Sequence, residues 1–368
     1  MLFMVIERVR LNNYRNYDAL NFAPGPGVNI ITGENAQGKT NAVEAIFLCA
    51  FGRSHRTTRD SELVKNGCAG GYVGLKIKSN QGAHAIEIKL RDGMRKEIYI
   101  DTLKAARTGE LMGVLNVVMF SPEDLQLIKE GPALRRRFMD MEISQLHPSY
   151  YYHLQQYNAA LKQRNALLKG DPSPGAKLFM WDAQLAEAGA KIMTARGGFL
   201  SKLHEQAKQL HFDITGGREW LEIVYRPNIE VEKNGDTLSK ALLDGLSNSA
   251  NEDMRRGFTT VGPHRDDMAI TLNGQDVRVY GSQGQQRTAA LSIKLSEIEL
   301  LRTLTGDMPV LILDDVLSEL DDMRSRLLVE RMRDCQCFLT CTSLEGLKRA
   351  GILEMSAFVC EGGTLTRG

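Results

Sequence analysis

No uninterrupted apolar stretch in this chain approaches the roughly 18 residues that a membrane-spanning helix needs, so no helix is expected to cross a membrane. The chain begins on the alternating run Leu2-Phe3-Met4-Val5-Ile6, which has neither the apolar core nor the small-residue cleavage site of a secretory leader. A cytoplasmic location is the expectation. Cysteine is scarce, 6 residues in 368, and no two stand as C-x-x-C. Cys49 and Cys68 are isolated, while Cys335, Cys337 and Cys341 share one face of an apolar strand, the pattern of buried thiols rather than of zinc ligands. Charge of one sign is not in excess either: 46 Lys and Arg face 45 Asp and Glu. The whole-molecule field therefore draws no polyanion strongly, and any nucleic-acid contact needs a local patch. Nothing in the composition marks a disordered chain, and its length suffices for two domains.

What the chain does have is Gly33-Glu34-Asn35-Ala36-Gln37-Gly38-Lys39-Thr40, after the apolar run Val28 to Ile31 and ahead of the helix-like segment Asn41 to Phe51. This fits G-x-x-x-x-G-K-[ST] at every fixed position and lies between strand and helix, the context that makes the match specific. The glycines let backbone N–H groups turn inward with no Cβ in the way, and the helix start adds partial positive charge. Lys39 is expected on the β and γ phosphates and the Thr40 hydroxyl on Mg²⁺. A nucleoside triphosphate is the first ligand to expect.

Several other stretches allow two meanings. Tyr14 and Arg15, in the polar and aromatic run that interrupts the first alternating strand after Leu11, suit stacking beside a base, or ordinary strand-edge packing. Arg53, His55, Arg56 and Arg59 form a basic, hydroxyl-rich stretch that suits phosphodiester contact; a solvated charged loop has the same composition. Tyr72 to Ile100 alternates around Asn80-Gln81-Gly82 and Asp92-Gly93, predicting an antiparallel meander. From Asp124 to about Gln209 the pattern is helical and broken at Gly170 to Gly175, predicting a hairpin of helices. Arg135-Arg136-Arg137 suits phosphate contact, but reads first as a solvated face paired with Asp140 and Glu142. Leu221 to Tyr225 reads as a strand and Asn248 to Asp253 as a loop. Asn273-Gly274 reads as the tip of a hairpin carrying Met268, Ile270, Leu272, Val277 and Val279.

A second phosphate-facing element follows. Gly281-Ser282-Gln283-Gly284-Gln285 opens a long amphipathic helix, and a serine hydroxyl beside glycine N–H groups at a helix start suits a terminal phosphate; serine is also a common N-cap. Pro309 to Leu313 is a buried apolar strand ending in Asp314-Asp315, with Leu317-Ser318-Glu319-Leu320-Asp321 close behind. Asp314 suits Mg²⁺, and Asp315 suits positioning or deprotonating an attacking water. The last apolar strand ends at Thr342, where a γ-phosphate sensor is expected.

The set Gly33 to Thr40, Ser282 to Gln285, Asp314-Asp315 and Leu317 to Asp321 resembles ABC-type ATPase heads of the SMC and Rad50 kind. More narrowly, the chain is similar to the RecF family of bacterial recombination mediators from Leu11 almost to its end. Leu11 to Tyr17, Gly33 to Asn41, Ser54-His55-Arg56, Gly131 to Asp140 and Gly262-Pro263-His264-Arg265-Asp266-Asp267 carry that likeness. The resemblance implies an α/β ATPase head with a mixed sheet and an antiparallel meander, formed by residues 1–122 and 256–368, with a mainly helical insert at 123–255. It implies an ATP-dependent homodimer in which Ser282, Gly284 and Gln285 of one copy complete a site built by Glu34, Asn35, Ala36, Gln37, Lys39, Thr40, Asn41 and Asp314 of the other. DNA, whether gapped, duplex or single-stranded, and the RecO and RecR proteins are the implied partners, in recombinational repair, replication restart and the SOS response. Gln283 departs from the usual signature glycine, Ser121 stands near the expected Q-loop glutamine, and Thr342 replaces a histidine, so the implied DNA-stimulated ATPase is slow. A transporter's nucleotide-binding subunit would not need the helical insert. A small-molecule P-loop kinase would have no use for the signature helix.

Overall fold

The computed structural model describes residues 4–170, 175–229, 237–317, 320–343, 352 and 355–368. The chain divides into two compact units, Met1–Asp124 with Leu291–Gly368, and Leu125–Ala290. The first opens with β1 (Val5–Tyr14), β2 (Tyr17–Phe22), β3 (Val28–Thr32), α1 (Lys39–Phe51), β4 (Gly70–Ser79), β5 (Gly82–Arg91), β6 (Glu97–Ile100), β7 (Leu103–Lys104) and β8 (Val117–Phe120). The second holds α2 (Gln126–Lys129), α3 (Pro132–Leu146), α4 (Pro148–Gly170), α5 (Gly175–Ile214), β9 (Leu221–Arg226), α6 (Leu238–Arg256), β10 (Asp267–Leu272), β11 (Gln275–Asp276) and α7 (Val277–Tyr280). After α8 (Gln283–Thr305), the first unit is completed by β12 (Val310–Asp314), α9 (Asp322–Met332), β13 (Cys337–Cys341), β14 (Ser356–Glu361) and β15 (Thr364–Arg367).

Two sheets build the first unit. One is antiparallel, in the order β2-β1-β4-β5-β6-β7, and its alternating sequence buries one face, with Val9, Leu11, Val73, Leu75, Ile86 and Ile88 inside. The other runs β15-β14-β3-β13-β12-β8, parallel except where β15 turns back on β14. Parallel strands are covered on both faces and read as continuous apolar runs; Val310 to Leu313 are all buried. Helix α1 packs against strands of both sheets, which explains why apolar residues surround it and nearly its whole length is buried. Because β3, β12 and β13 are parallel neighbours, the loops at their carboxyl ends lie side by side.

The structure corrects four local expectations. Strand β1 continues past Leu11 to Tyr14, and Tyr14 is wholly buried, so its ring offers no face to a base. Asn248 to Asp253 is part of α6: the polar run hides Asp253, fully buried, whose carboxylate takes a hydrogen bond from Arg164 at 2.6 Å. Thr237 accepts from the Lys240 N–H to start that helix, and Gly257 at φ 73° ends it. The hairpin stops at Asp276, which caps α7 by accepting from the Arg278 N–H, and Val279 is left 65% exposed. Arg135 is buried rather than solvated, forked onto Asp267 at 2.7 and 2.9 Å, while Arg136 donates to the Asp266 carbonyl. The second unit also extends beyond residue 255: it includes the sheet β11-β10-β9 and reaches Ala290.

Candidate nucleotide site

The loop between β3 and α1 takes conformations that its sequence permits at a few points only. Gly33 and Gly38 have φ of 149° and 118°, and Ala36 is left-handed at 65°. A Cβ on Gly33 would collide with the Cys360 carbonyl, and one on Gly38 with the Asn16 amide. The Lys39 ammonium, almost buried, donates to the carbonyls of Gly33 and Glu34 at 2.6 and 2.8 Å, so its charge is held over the loop. Thr40 donates from Oγ1 to Asp314 Oδ1 at 2.9 Å. A hydroxyl and a carboxylate that close are hard oxygen donors of the kind Mg²⁺ takes.

Thr340, which nothing in the sequence singles out, completes this corner. Its buried hydroxyl donates to Asp314 Oδ1 at 2.7 Å and accepts from the Asp315 N–H at 3.0 Å. It thereby orients both carboxylate residues at once. Asp315 is exposed with φ of 55°, a left-handed conformation that aspartate tolerates better than most residues. Thr342 is exposed one residue past β13. Beside it, burial pushes the Cys341 thiol up to about 11 against the opposing pull of Lys39. Ser318 and Glu319 lie outside the described residues. Asp321 caps α9, accepting from the Arg324 N–H at 2.9 Å.

Residues distant in sequence hold the loop from outside. The Gln37 carbonyl accepts from Asn16 Nδ2 at 2.7 Å, the Gly363 N–H at 3.2 Å and Cys360 Sγ at 3.4 Å. A peptide is planar and trans, so a carbonyl drawn toward those donors turns the Gly38 N–H of the same peptide the opposite way. The Tyr17 hydroxyl donates to the Gly38 carbonyl at 2.9 Å and, by the same geometry, sets the Lys39 N–H. Asn16 and Tyr17 follow Arg15, whose φ is 53° and whose guanidinium forks onto Glu44 at 2.8 and 2.7 Å. Burial alone would raise the Glu44 carboxyl; bonds from Arg15 and Ser54 more than offset it and hold the group below its ordinary range. Arg15 is therefore a brace for α1, not a stacking group. Only a fold reveals these contacts, since nothing in the spacing of residues 14–17 and 33–44 announces them.

The four basic-stretch residues part company. Arg53 is exposed and Arg59 is 80% exposed, 3.9 Å from Glu62. Arg56 donates to Asn41 Oδ1 at 2.9 Å, and Asn41 donates to Asn16 Oδ1 at 2.8 Å, so both join the loop's scaffold. His55 packs edge-on against Phe47 with ring centroids 5.1 Å apart, and burial pushes its pKa down.

Ser282, Gly284 and Gln285 belong to the second unit. Ser282 Oγ accepts from the Gln285 N–H at 3.2 Å and Gln285 Oε1 from the Ser282 N–H at 2.8 Å, a reciprocal cap on α8. Gln285 also donates to Glu219 at 3.0 Å. The serine is thus a cap, as its residue type suggests, and Ser282, Gln283 and Gly284 all stay exposed. In the same unit the run Gly262 to Asp267 serves the interior. Asp266 is fully buried and accepts from Arg196 at 3.2 Å and the Asn228 N–H at 2.7 Å.

Residues 5–358 match the RecF/RecN/SMC N-terminal domain family. The chain is 46% identical over 347 residues to the DNA replication and repair protein RecF of Alkaliphilus oremlandii, covering 94% of this chain and 95% of that one. To the protein of the same name from Acetivibrio thermocellus it is 45% identical over 347 residues, covering 93% and 94%. A solved structure of the recombination mediator protein RecF with ATPrS, in the RecFOR pathway, superposes at a TM-score of 0.92 and 38% identity over 99% of this chain and 98% of that one. An Smc head from Pyrococcus furiosus, at a TM-score of 0.56 and 15% identity, shares the fold alone. The mixed α/β ATPase head that the resemblance implied is the fold observed, and with relatives this similar along nearly its full length the chain belongs to the RecF family of DNA replication and repair proteins.

Proposed function

We propose that the protein is an ATP-dependent DNA-binding machine of recombinational repair, in which ATP joins two copies of the chain around DNA near gaps and slow hydrolysis releases them. The observation that carries this reading is the joined set of Lys39, Thr40 and Asp314 in one unit, with an exposed serine and glycine helix start in the other. One chain has a single phosphate-binding lysine loop, and a second copy is the economical source of a Ser282 to meet its γ phosphate. The loop amides of Glu34 to Asn41 bind the phosphates, and Lys39 is their point charge. Thr40 and Asp314 are the residues that would hold Mg²⁺, which when bound neutralises phosphate charge. Asp315 holds the attacking water and takes its proton.

DNA contact falls to the exposed Arg53, Arg56 and Arg59, with the half-buried His55 among them, and RecO and RecR are the protein partners. Relatives named for DNA replication and repair support this reading over a transporter subunit. Sedimentation at millimolar ATP or ADP tests it. Dimer with ATP and monomer with ADP is the expected result, and one oligomeric state in both nucleotides would overturn it.

A further inference from the structure

We propose that Glu219 is a positioning residue for the nucleotide site: through the Gln285 side chain it fixes the exposed Ser282 hydroxyl that a second copy of the chain offers to the γ phosphate. This rests on the shared-site reading above and adds to it a residue 66 positions before Gln285. The link is a run of short bonds inside the second unit. Glu219 Oε1 accepts from Gln285 Nε2 at 3.0 Å, Gln285 Oε1 accepts from the Ser282 N–H at 2.8 Å, and Ser282 Oγ accepts from the Gln285 N–H at 3.2 Å. A reciprocal cap needs only the oxygen of its glutamine; here the NH₂ end is held too, so the amide is anchored at both ends. The serine oxygen has lone pairs enough to accept from the Gln285 N–H while its own O–H stays available. That O–H is the group a phosphate oxygen takes.

Glu219 is itself held from behind. Its other oxygen, Oε2, lies 3.1 Å from Nε2 of His211, a wholly buried imidazole in the last turn of α5. Burial pushes the His211 pKa down, so the ring is neutral at pH 7, and facing a carboxylate it carries its proton on Nε2. Two glycines let the chain double back from that helix. Gly216 and Gly217 have φ of 62° and 78°, the Gly217 N–H donates to the Phe212 carbonyl at 2.9 Å, and Arg218 Nε donates to the Thr215 carbonyl at 2.9 Å. On the far side of Glu219, Trp220 packs on Phe212 with ring centroids 4.6 Å apart. The Trp220 N–H donates to Asn273 Oδ1 at 2.8 Å, and the Trp220 carbonyl accepts from the Asn273 N–H at 2.9 Å. The carboxylate therefore stands on a braced turn and transmits that rigidity to the helix start. Its charge is a cost there, since the helix start is to meet an anion. What the serine needs from Glu219 is an acceptor in the right place.

The test is sedimentation at millimolar ATP, over a range of protein concentration, of Glu219→Ala, Glu219→Gln, Gln285→Leu, and Ser282→Ala with and without Glu219→Ala. A serine aimed correctly for only part of the time contributes by that fraction, about tenfold less per site when a bond to a charged group is lost. Two copies related by a two-fold axis share two such sites, so the dissociation constant of the Glu219→Ala dimer should rise about a hundredfold. Gln285→Leu cuts the link from the helix side and leaves His211 its carboxylate; it should lose at least as much, and it decides the matter if Glu219→Ala does not fold. Glu219→Gln keeps an acceptor for Gln285 and drops the charge, so it should dimerise like the wild type or more tightly. At protein concentrations too low for dimer, fluorescent-ATP affinity should be unchanged in Glu219→Ala, because the lysine loop lies in the other unit. Added to Ser282→Ala, Glu219→Ala should cost the dimer nothing more, as two changes on one link are not additive. A wild-type dimer constant in Glu219→Ala or in Gln285→Leu overturns the assignment. So does an equal further loss on the Ser282→Ala background, which would mark Glu219 as support for the fold alone. A wild type with one oligomeric state in ATP and ADP would instead sink the shared-site reading, and the assignment with it.

Discussion

Asn16 offers the sharpest test of how the phosphate loop is aimed. Its amide donates to the Gln37 carbonyl at 2.7 Å, the shortest of three such bonds, and its oxygen accepts from Asn41 at 2.8 Å. In Asn16→Ala the Gln37 carbonyl keeps Gly363 and Cys360, so the peptide still prefers its native direction by less. Losing one bond of this kind is worth about 1 kcal/mol, and a loop that is competent for only part of the time binds more weakly by that fraction. Affinity for both ATP and ADP should therefore fall about fivefold. Asn16→Asp sets a carboxylate against the carbonyl and an extra negative charge near the phosphates, and the loss should grow to about 10–100-fold, a factor of ten for every 1.4 kcal/mol. Fluorescent-nucleotide titration reads the affinity, and amide exchange of Gly38 in the ADP complex reads the pin directly; it should speed up in both variants. The melting temperature without nucleotide should drop by only about 2–4 °C. Wild-type ADP affinity in Asn16→Asp would show that the peptide needs no outside help, and the reasoning would be wrong.

Three further outcomes follow from the same geometry. Ser282→Arg should bind ATP as the wild type does yet sediment as a monomer; an ATP-dependent dimer of this variant would remove Ser282 from a shared site. Asp315→Asn should dimerise with ATP and turn over far more slowly, which a phosphate-release assay checks. His264 gives the protein an acid limb: its Nε2 donates to the Thr259 carbonyl at 3.0 Å, its Nδ1 accepts from Tyr157 at 2.6 Å, and burial pushes its pKa down to about 4. The unfolded chain takes a proton first as pH falls below about 6.5, so stability is lost between there and pH 4, by at most about 3 kcal/mol and less for the part of the ring that water reaches. Urea midpoints at pH 7 and 4.5 should differ less in His264→Gln than in the wild type.

What could be read in advance was whatever depends on neighbours in sequence. The phosphate loop, the apolar strand before Asp314 and the meander from β4 to β7 are local patterns, and each appears where its residues predict. The misread pieces are those in which a polar group finds a distant partner. Arg135 looked solvated because Asp267 is far along the chain, and Asn248 to Asp253 looked like a loop because Arg164, which buries Asp253, lies on another helix. The part played by Thr340 went unread for the same reason. A strand's end is visible in sequence, but the hydroxyl that reaches Asp314 is decided by register with β12, where Thr340 stands opposite that aspartate.

The site follows the same rule more severely. Within the lysine loop every residue expected to touch phosphate is contiguous in sequence, whereas the groups that aim the loop come from β1–β2 and from the turn between β14 and β15, and Thr340 of β13 orients Asp314. A glycine-rich loop is permissive by nature, and permissiveness is what allows close approach of backbone to phosphate. The same freedom would let the loop's amides point anywhere, so a useful cradle must be held by parts that are themselves rigid. Here those parts are the first hairpin and the last one, which meet at the Gln37 carbonyl, Asn16 from the one and Gly363 from the other. The long second unit between them is a tolerable insertion, since the entropy of closing a flexible loop grows only with the logarithm of its length, about 0.6 kcal/mol per doubling. The phosphate site is thus built jointly by the two ends of the chain, and a change in either terminal hairpin should reach the nucleotide before it reaches the fold.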